Sequence, residues 1–480
     1  MIKNFIKIIS LLLLIVSATF IIPIFVAILC KEYNYISAFL IPMIVTCFIS
    51  VTLLLIFRKS KVNLSVRSNF AITASCWIFA SLLGAFPLFL SGHFSSFTDA
   101  FFESVSGFTT TGATILNNVE ALPKSINLWR CQMHWLGGMG IVALTVALLP
   151  LLGVGGFQLI KAETTGPEKS KMTAKITMTA KILWFIYLGF TVLEFICLLI
   201  AGMSWIDALC YSFSTLGTGG FATKNASIGA YNSVAIEWIV FVFMTLAGVN
   251  FSLYFYLLTG RVRDFFRNTE FRAYVGILVT SIILITIFIF PQVGNLKTAL
   301  RLASFQTSSI MSTTGFATAD YETWSSSAQL VIFFLLFIGG SSGSTAGGIK
   351  VIRWVILGKQ MHNEVKRVLH PHGVFSIRLN GEVGRKDVIF NVAAFMFLYF
   401  MLVVVTTFVT AISGVDILTS FTAALTSVGN FGPGFGLIGP TENMGFFTDG
   451  VKWWLCFAMI AGRLELYTML LFLFPEYWKK

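Results

Sequence analysis

Ten stretches of this 480-residue chain are apolar and long enough to cross a lipid bilayer: 8–30, 36–57, 70–90, 127–152, 180–202, 234–259, 271–290, 328–357, 387–413 and 451–474. About 20 such residues cover a hydrocarbon core. Only 11% of the residues are charged and 56% are hydrophobic, whereas soluble domains carry about 25% charged residues. The sequence therefore predicts an all-α polytopic membrane protein with ten transmembrane helices. The first apolar run follows a basic start, as in a signal peptide. It is too long for a typical signal core and no A-x-A-like cleavage site ends it, so it reads as a retained helix.

The formal net charge of +12 raises the question of nucleic acid, and its distribution answers against it. With the N-terminus in the cytoplasm, 25 of the 33 basic residues fall on cytoplasmic segments, seven fall outside, and one, Arg463, lies within a span. That is the positive-inside bias, and it predicts both termini in the cytoplasm. The basic loops then suit acidic lipid headgroups or a soluble partner. Seven cysteines sit in or beside apolar segments without CxxC or Cys/His metal spacing, which predicts buried free thiols.

A fourfold self-similarity runs through the chain. Its anchors are Gly112, Gly220, Gly315 and Gly432, each in a short polar cluster: TTTGAT, TGGFAT, TTGFAT and NFGPGFG. Thirteen residues before the first two anchors stands an Asp-Ala pair, Asp99-Ala100 and Asp207-Ala208. Each cluster follows a stretch of about three helical turns, half the length of a crossing. The chain thus divides into two N-terminal helices (1–69) and four pseudo-repeats of helix, pore helix, filter loop and helix. These units cover 70–152, 177–259, 271–358 and 387–480.

A half-length helix followed by irregular backbone must line a protein-enclosed or watery cavity, because each unpaired backbone group in lipid costs several kcal/mol. Four such loops can close around one pore, with backbone carbonyls replacing the hydration shell of a cation. The C-terminal ends of the short helices would point their negative dipoles at it. Asp99 and Asp207 suit the starts of those helices as caps. The predicted filter is Thr110, Thr111 and Gly112; Thr218, Gly219 and Gly220; Thr313, Thr314 and Gly315; and Asn430, Phe431 and Gly432. The glycines supply backbone freedom, and the threonines supply hydroxyl oxygen.

The apolar run 328–357 is interrupted by GGSSGSTAGG at 339–348. Five glycines among ten small residues cannot form a stable helix interior, so a mid-membrane break on the permeation path is expected. Gly339, Gly340, Ser341, Gly343, Gly347 and Gly348 mark it. GSTAGGIK lacks the spacing of a phosphate loop. Arg463, in the last apolar helix, is costly at that depth and reads as functional; pairing with Glu465 is the structural alternative. Glu103 is expected to hydrogen-bond behind the filter. Asp320 and Glu322 either concentrate cations outside or form a plain solvated loop. His134 and Trp135 read as packing.

Together SGFTTTGAT (106–114), WLGGMGI (135–141), STLGTGGFAT (214–223), MSTTGFATAD (311–320), GGSSGSTAGGIK (339–350), GPGFG (432–436) and AGRLELYT (461–468) resemble the Trk/Ktr/HKT superfamily of potassium transporters, most closely its TrkH-type bacterial members. The resemblance covers the whole chain. It implies a potassium filter at the four glycines, where serine at the first position favours sodium. It also implies a homodimer with one pore per subunit, in the cytoplasmic (inner) membrane of the cell. A cytoplasmic ring of nucleotide-binding, TrkA-like regulatory subunits would gate it, with the nucleotide on that partner and no organic cofactor in this chain. Segment 339–348 would plug the pore beneath the filter, with Arg463 beside it as an electrostatic barrier, and the basic segment 350–373 would dock the partners. The fourth cluster departs most, with Asn430, Phe431 and Pro433 in place of threonines.

Two function classes stay open: a gated potassium-selective channel, and a secondary symporter coupled to protons or sodium. The second needs an intramembrane acid; Glu194, Glu237 and Glu465 are the candidates. No HExxH, CxxC or Walker motif occurs, so an enzyme is not expected.

Overall fold

A computed structural model describes residues 2–58, 66–140, 176–383, 386–471 and 475. These are mostly helical. The helices are α1 (Ile2–Ala18), α2 (Ile21–Leu29), α3 (Ile36–Ile56), α4 (Val66–Leu90), α5 (Phe97–Phe108), α6 (Lys124–Gly138), α7 (Ile176–Ile200), α8 (Trp205–Gly217), α9 (Val234–Ala247) and α10 (Phe251–Leu258). Then follow α11 (Val262–Arg267), α12 (Thr269–Val293), α13 (Leu296–Met311), α14 (Ser326–Leu335), α15 (Val351–Leu369), α16 (Lys386–Ala411), α17 (Ile417–Gly429), α18 (Asp449–Arg463) and α19 (Tyr467–Leu470). Two two-residue strands, β1 (Arg378–Leu379) and β2 (Glu382–Val383), pair antiparallel.

Six helical stretches are long and apolar enough to cross a membrane: Phe5–Leu29, Tyr33–Ile56, Phe70–Leu90, Ala180–Ile200, Thr269–Val293 and Val388–Ala411. They match six of the ten predicted crossings. The other four, each following a polar cluster, are not straight helices. α6 stops at Gly138, and 141–152 lie outside the described residues. α9 and α10 are bent by 96° at 248–250. α14 stops at Leu335, fifteen residues short of α15 by its own numbering. α18 stops at Arg463, after which Glu465 and Leu466 take positive φ (55° and 61°). Glycines at 137–138, 248 and 462 stand at three of these ends, where each weakens a helix interior by up to about 1 kcal/mol, while α14 ends before Gly339 and Gly340 are reached. Several also admit a close approach. A Cβ on Gly137 would strike the carbonyl of Phe108, and one on Gly462 that of Val428.

The burial pattern is inverted relative to a soluble protein. The short helices α5, α8, α13 and α17 lie inside, with residues 99–108 of α5 all buried. The long helices expose phenylalanine and isoleucine outward, among them Phe48, Ile200 and Phe408, as lipid-facing surfaces require. α5 packs between α4, α6 and α18; α8 between α6, α7 and α9; α13 between α9, α12 and α14; and α17 between α16 and α18. Each of the first three therefore touches the helix that follows another unit's cluster. Ion pairs reinforce two of these seams: Lys452 to Asp99 at 2.6 Å, and Arg301 to Glu237 at 3.2 Å.

Candidate functional site

The short helices begin on polar caps. Ser96 Oγ accepts from the Asp99 amide at 3.1 Å, and Ser204 Oγ from the Asp207 amide at 3.2 Å. Asn295 and Asp416 cap α13 and α17. Serine, not aspartate, is thus the cap in the first two units. The aspartates hold neighbours instead. Asp99 pairs with Lys452, and Asp207 accepts from Thr223 Oγ1 at 2.7 Å, tying the start of α8 to the far end of its own loop. α13 is also longer than expected, at 16 residues.

Each short helix runs into a loop of one repeated shape. φ is positive at Thr110 (55°) and Gly112 (78°), at Thr218 (54°) and Gly220 (82°), at Thr313 (57°) and Gly315 (82°), and at Asn430 (55°) and Gly432 (85°). A left-handed residue costs a threonine roughly 1–2 kcal/mol, so four such pairs mark a shape imposed by the surroundings. The loops also meet in a cycle. A Cβ added to Gly112 would fall under 3.0 Å from the Gly219 carbonyl, one on Gly220 from that of Thr314, one on Gly315 from that of Phe431, and one on Gly432 from that of Thr111. The approach is tightest at the first two, 2.6 Å at the third and 2.8 Å at the fourth. The twelve residues expected at the filter are therefore brought together. All four glycines line one cavity of about 130 Å³, which opens past Asn117, Asn225 and Glu442.

Side chains brace the ring from within. The hydroxyls of Thr109 and Thr111 lie 2.8 Å apart, and those of Ser312 and Thr314 lie 2.7 Å apart. Asn430 Nδ2 donates to Thr111 Oγ1 at 2.8 Å, so the odd fourth cluster is stitched to the first. Among the described residues, Thr110 Oγ1 and Asn430 Oδ1 are buried oxygens with no hydrogen-bond partner. Buried oxygens left without donors suit a cation.

Segment 339–348 sits directly against this ring. Its mouth is closed by Gly339 N–H to the Ile349 carbonyl (3.0 Å) and Val351 N–H to the Gly340 carbonyl (3.2 Å). Ser341 N–H donates to the Gly248 carbonyl at 2.8 Å, and Gly343, with φ 71°, accepts from Phe251 N–H at 3.0 Å. The broken end of α9 and the start of α10 thus hold the loop. Gly347 N–H donates to Thr313 Oγ1 at 2.7 Å, and a Cβ on Gly347 would strike the Gly429 carbonyl. Gly348 also has positive φ (67°). Glu270, buried in the first turn of α12, accepts from Ser342 N–H (2.6 Å), Ser342 Oγ (2.7 Å) and Ile352 N–H (3.2 Å). One carboxylate therefore clasps both flanks of the segment.

Arg463 links the end of α6 to the 339–348 segment. Its Nη1 donates to the Thr345 carbonyl at 2.8 Å, and its Nη2 to those of Gly137 (2.8 Å) and Gly138 (3.1 Å). Carbonyls at a helix C-terminus lack intrahelical partners and carry negative dipole charge, which a guanidinium meets. Glu465 bonds Arg353 at 2.7 Å instead, so the expected alternative, an Arg463–Glu465 pair, is not the arrangement found.

The TrkH family model, described as a cation transport protein, matches residues 35–480. This chain belongs to the TrkH family. It is 37% identical over 479 residues to the Trk system potassium uptake protein TrkH of Salmonella typhimurium, and 38% identical over 479 residues to that of Escherichia coli K12, with 99% of both chains covered in each case. The crystal structure of the potassium transporter TrkH from Vibrio parahaemolyticus superposes with a TM-score of 0.89 at 35% identity, covering 100% of each chain. TrkH relatives are membrane transport proteins, not enzymes, as the absence of catalytic motifs led us to expect.

Within this chain, residues around the ring divide into the expected and the missed. Glu103 is fully buried behind the first loop and accepts from Arg130 Nε (2.8 Å), Arg130 Nη2 (2.6 Å), Thr114 Oγ1 (2.9 Å) and Ile115 N–H (3.1 Å). Arg130, one of the seven basic residues assigned to the outside, finds its partner 27 positions away, so spacing gave no sign of the pair. Glu270 was not expected at all, for the same reason. Asp320 accepts from Glu322 N–H at 3.0 Å, and Glu322 Oε1 from Gly436 N–H at 2.6 Å. Glu322 thus ties the segment after the third loop to the fourth, while Asp320 caps the short turn at Tyr321–Thr323. Burial raises the Glu322 carboxyl above its usual range, and the Gly436 hydrogen bond opposes that. Among the described residues no disulfide joins the cysteines; Cys76, Cys131, Cys210 and Cys456 are buried as expected, whereas Cys30, Cys47 and Cys197 are only half-buried.

Proposed function

We propose that this chain is a potassium uptake protein that passes potassium through a filter of four loops. The cyclic approach of Gly112, Gly220, Gly315 and Gly432, each to the next loop's carbonyl, carries the reading. Carbonyls of residues 110–112, 218–220, 313–315 and 430–432 would replace the hydration shell of the ion, and the four short helices would aim their C-terminal dipoles at it. The printed names of the relatives, Trk system potassium uptake protein, support potassium as the substrate. Glycine at all four anchors favours potassium over sodium. On this reading the four units are pseudo-repeats around one pore, the ten predicted segments are the crossings, and both termini lie in the cytoplasm under the inner membrane.

The gate in this proposal is 339–348 with Arg463. Its contacts with Thr313, Gly429 and the carbonyls of 137, 138 and 345 support a plug with a positive charge beneath the filter. Two copies of the chain would pair, each with its own pore, and a cytoplasmic ring of nucleotide-binding subunits would move the plug. Rubidium uptake into proteoliposomes with sodium as competitor tests the filter. Gly112→Ser is expected to let sodium compete more strongly, and unchanged selectivity would undo the assignment.

One observation favours a second reading, symport with protons or sodium. Glu194 is fully buried in α7, and neither carboxylate oxygen has a hydrogen-bond partner among the described residues. A reversal potential that shifts with pH in symmetric potassium would select symport over a passive pore.

A further inference from the structure

The residue after the anchor glycine varies: Ala113 in the first loop, Phe221 and Phe316 in the second and third, and Pro433 in the fourth. At the second loop it is held in an unusual way. The Phe221 ring is buried between two side chains of α6, which belongs to the preceding unit. The His134 ring stacks on it at 4.2 Å and 24°, and the Arg130 guanidinium carbon lies 4.2 Å from its centroid. Four residues apart, these two share one face of the helix.

His134 also touches the backbone of the loop. Its Nδ1 accepts from Phe221 N–H at 3.4 Å and lies 3.3 Å from Ser214 Oγ. The acceptor role puts the ring proton on Nε2, which is buried without a partner among the described residues. A Cβ on Gly219 would strike the imidazole, so the ring fills the space behind that residue. The Gly219 carbonyl is the one that Gly112 approaches. His134 therefore backs the point where the first and second loops meet.

We infer that His134 is a positioning residue for cation selectivity: by accepting the Phe221 amide it fixes the peptide that carries the Gly220 carbonyl, while its ring backs Gly219. The inference rests on the filter reading above. A residue that merely filled space could be replaced by any ring. A positioning acceptor cannot, because its loss frees the peptide that follows Gly220 to rotate and leaves a buried N–H without a partner.

Two variants separate these roles. His134→Phe keeps a ring against Phe221 and removes the acceptor. His134→Asn places an amide oxygen where Nδ1 stood and removes most of the ring. The readout is rubidium uptake in proteoliposomes of the full chain, taken as the ratio of sodium's half-competing concentration to rubidium's half-saturating one. That ratio does not depend on how much folded protein a preparation contains. His134→Phe is expected to lower it about five- to tenfold, the range that one lost buried hydrogen bond spans. His134→Asn is expected to stay within about twofold of the native ratio, as it retains the bond. His134→Leu gives the same reading as His134→Phe if the latter is not recovered. A native ratio in His134→Phe overturns the inference, and so does an equal shift in both variants. Gly220→Ser is measured alongside. If it shifts the ratio while His134→Phe does not, only the His134 inference fails; if Gly220→Ser leaves the ratio unchanged, the filter reading fails with it.

Discussion

Two levels of the molecule, a few ångströms apart, follow opposite rules. At the ring, four loops of different sequence adopt one backbone: the first positive φ spans 54–57° and the second 78–85°. Beneath it, the four helices that leave the ring end in four ways. One stops at Gly138, one bends by 96°, one gives way to 336–350, and one ends in two left-handed residues after Arg463. On the proposed reading, a cation surrounded by oxygens needs them at similar distances, which would hold the loops alike, whereas a barrier needs only one obstacle, which would leave the level below free to be asymmetric, with one loop and one arginine.

The comparison can be broken first at the ring. Alanine at the anchors should reduce uptake most at Gly112 and Gly220, less at Gly315 and least at Gly432, following the room each Cβ would find. The loss at Gly220 should exceed tenfold, since a left-handed alanine alone costs about 1–2 kcal/mol. Four equal losses in rubidium uptake would mean that the loops are not graded as their spacing indicates. The lower level is tested next, by removal. Deleting 341–347 should raise liposome flux, on the order of tenfold if it lifts about 1.4 kcal/mol of barrier. Arg463→Ala should raise it less, roughly threefold on the same scale, because Glu270, Gly248 and Phe251 still hold the loop. Flux equal to native in both would remove the gate from this segment.

The smallest effect concerns the outer brace. The Glu322 carboxyl is raised in the folded chain, so its protonated form is the one folding favours. The stability it contributes is present at low pH and is lost as pH rises through the raised value. Glu322→Gln keeps an acceptor for Gly436 and removes that dependence. Melting temperature against pH, from about 4 to 7, should be flatter in the variant, by well under 1 kcal/mol for a partly solvated group.

What the sequence made legible was whatever is local. The anchor glycines and those of the solid run at 339–348 need their residue type for backbone freedom, the threonines before the anchors bring hydroxyl oxygens, and all lie in or against the ring. The caps were within reach: SFTD at 96–99 and SWID at 204–207 carry serine three residues before an acid, the capping pattern, and the serine was passed over. The ends at Gly138 and Ala247 were hidden because a hydropathy window averages two glycines into an apolar stretch. Glu270 clasps residues 72 and 82 positions away, and no short-range pattern encodes such a contact.

The order in which the loops touch gives the ring a sense of rotation. Gly112 leans on the second loop, Gly220 on the third, Gly315 on the fourth and Gly432 on the first. Damage at one anchor should therefore surface in the next loop around and not in the one behind. A tetramer of identical chains must accept each change four times over, whereas a single chain can alter one quadrant and disturb chiefly its forward neighbour. Pro433 and Asn430 show such independence: the fourth quadrant has its own chemistry while the other three keep theirs.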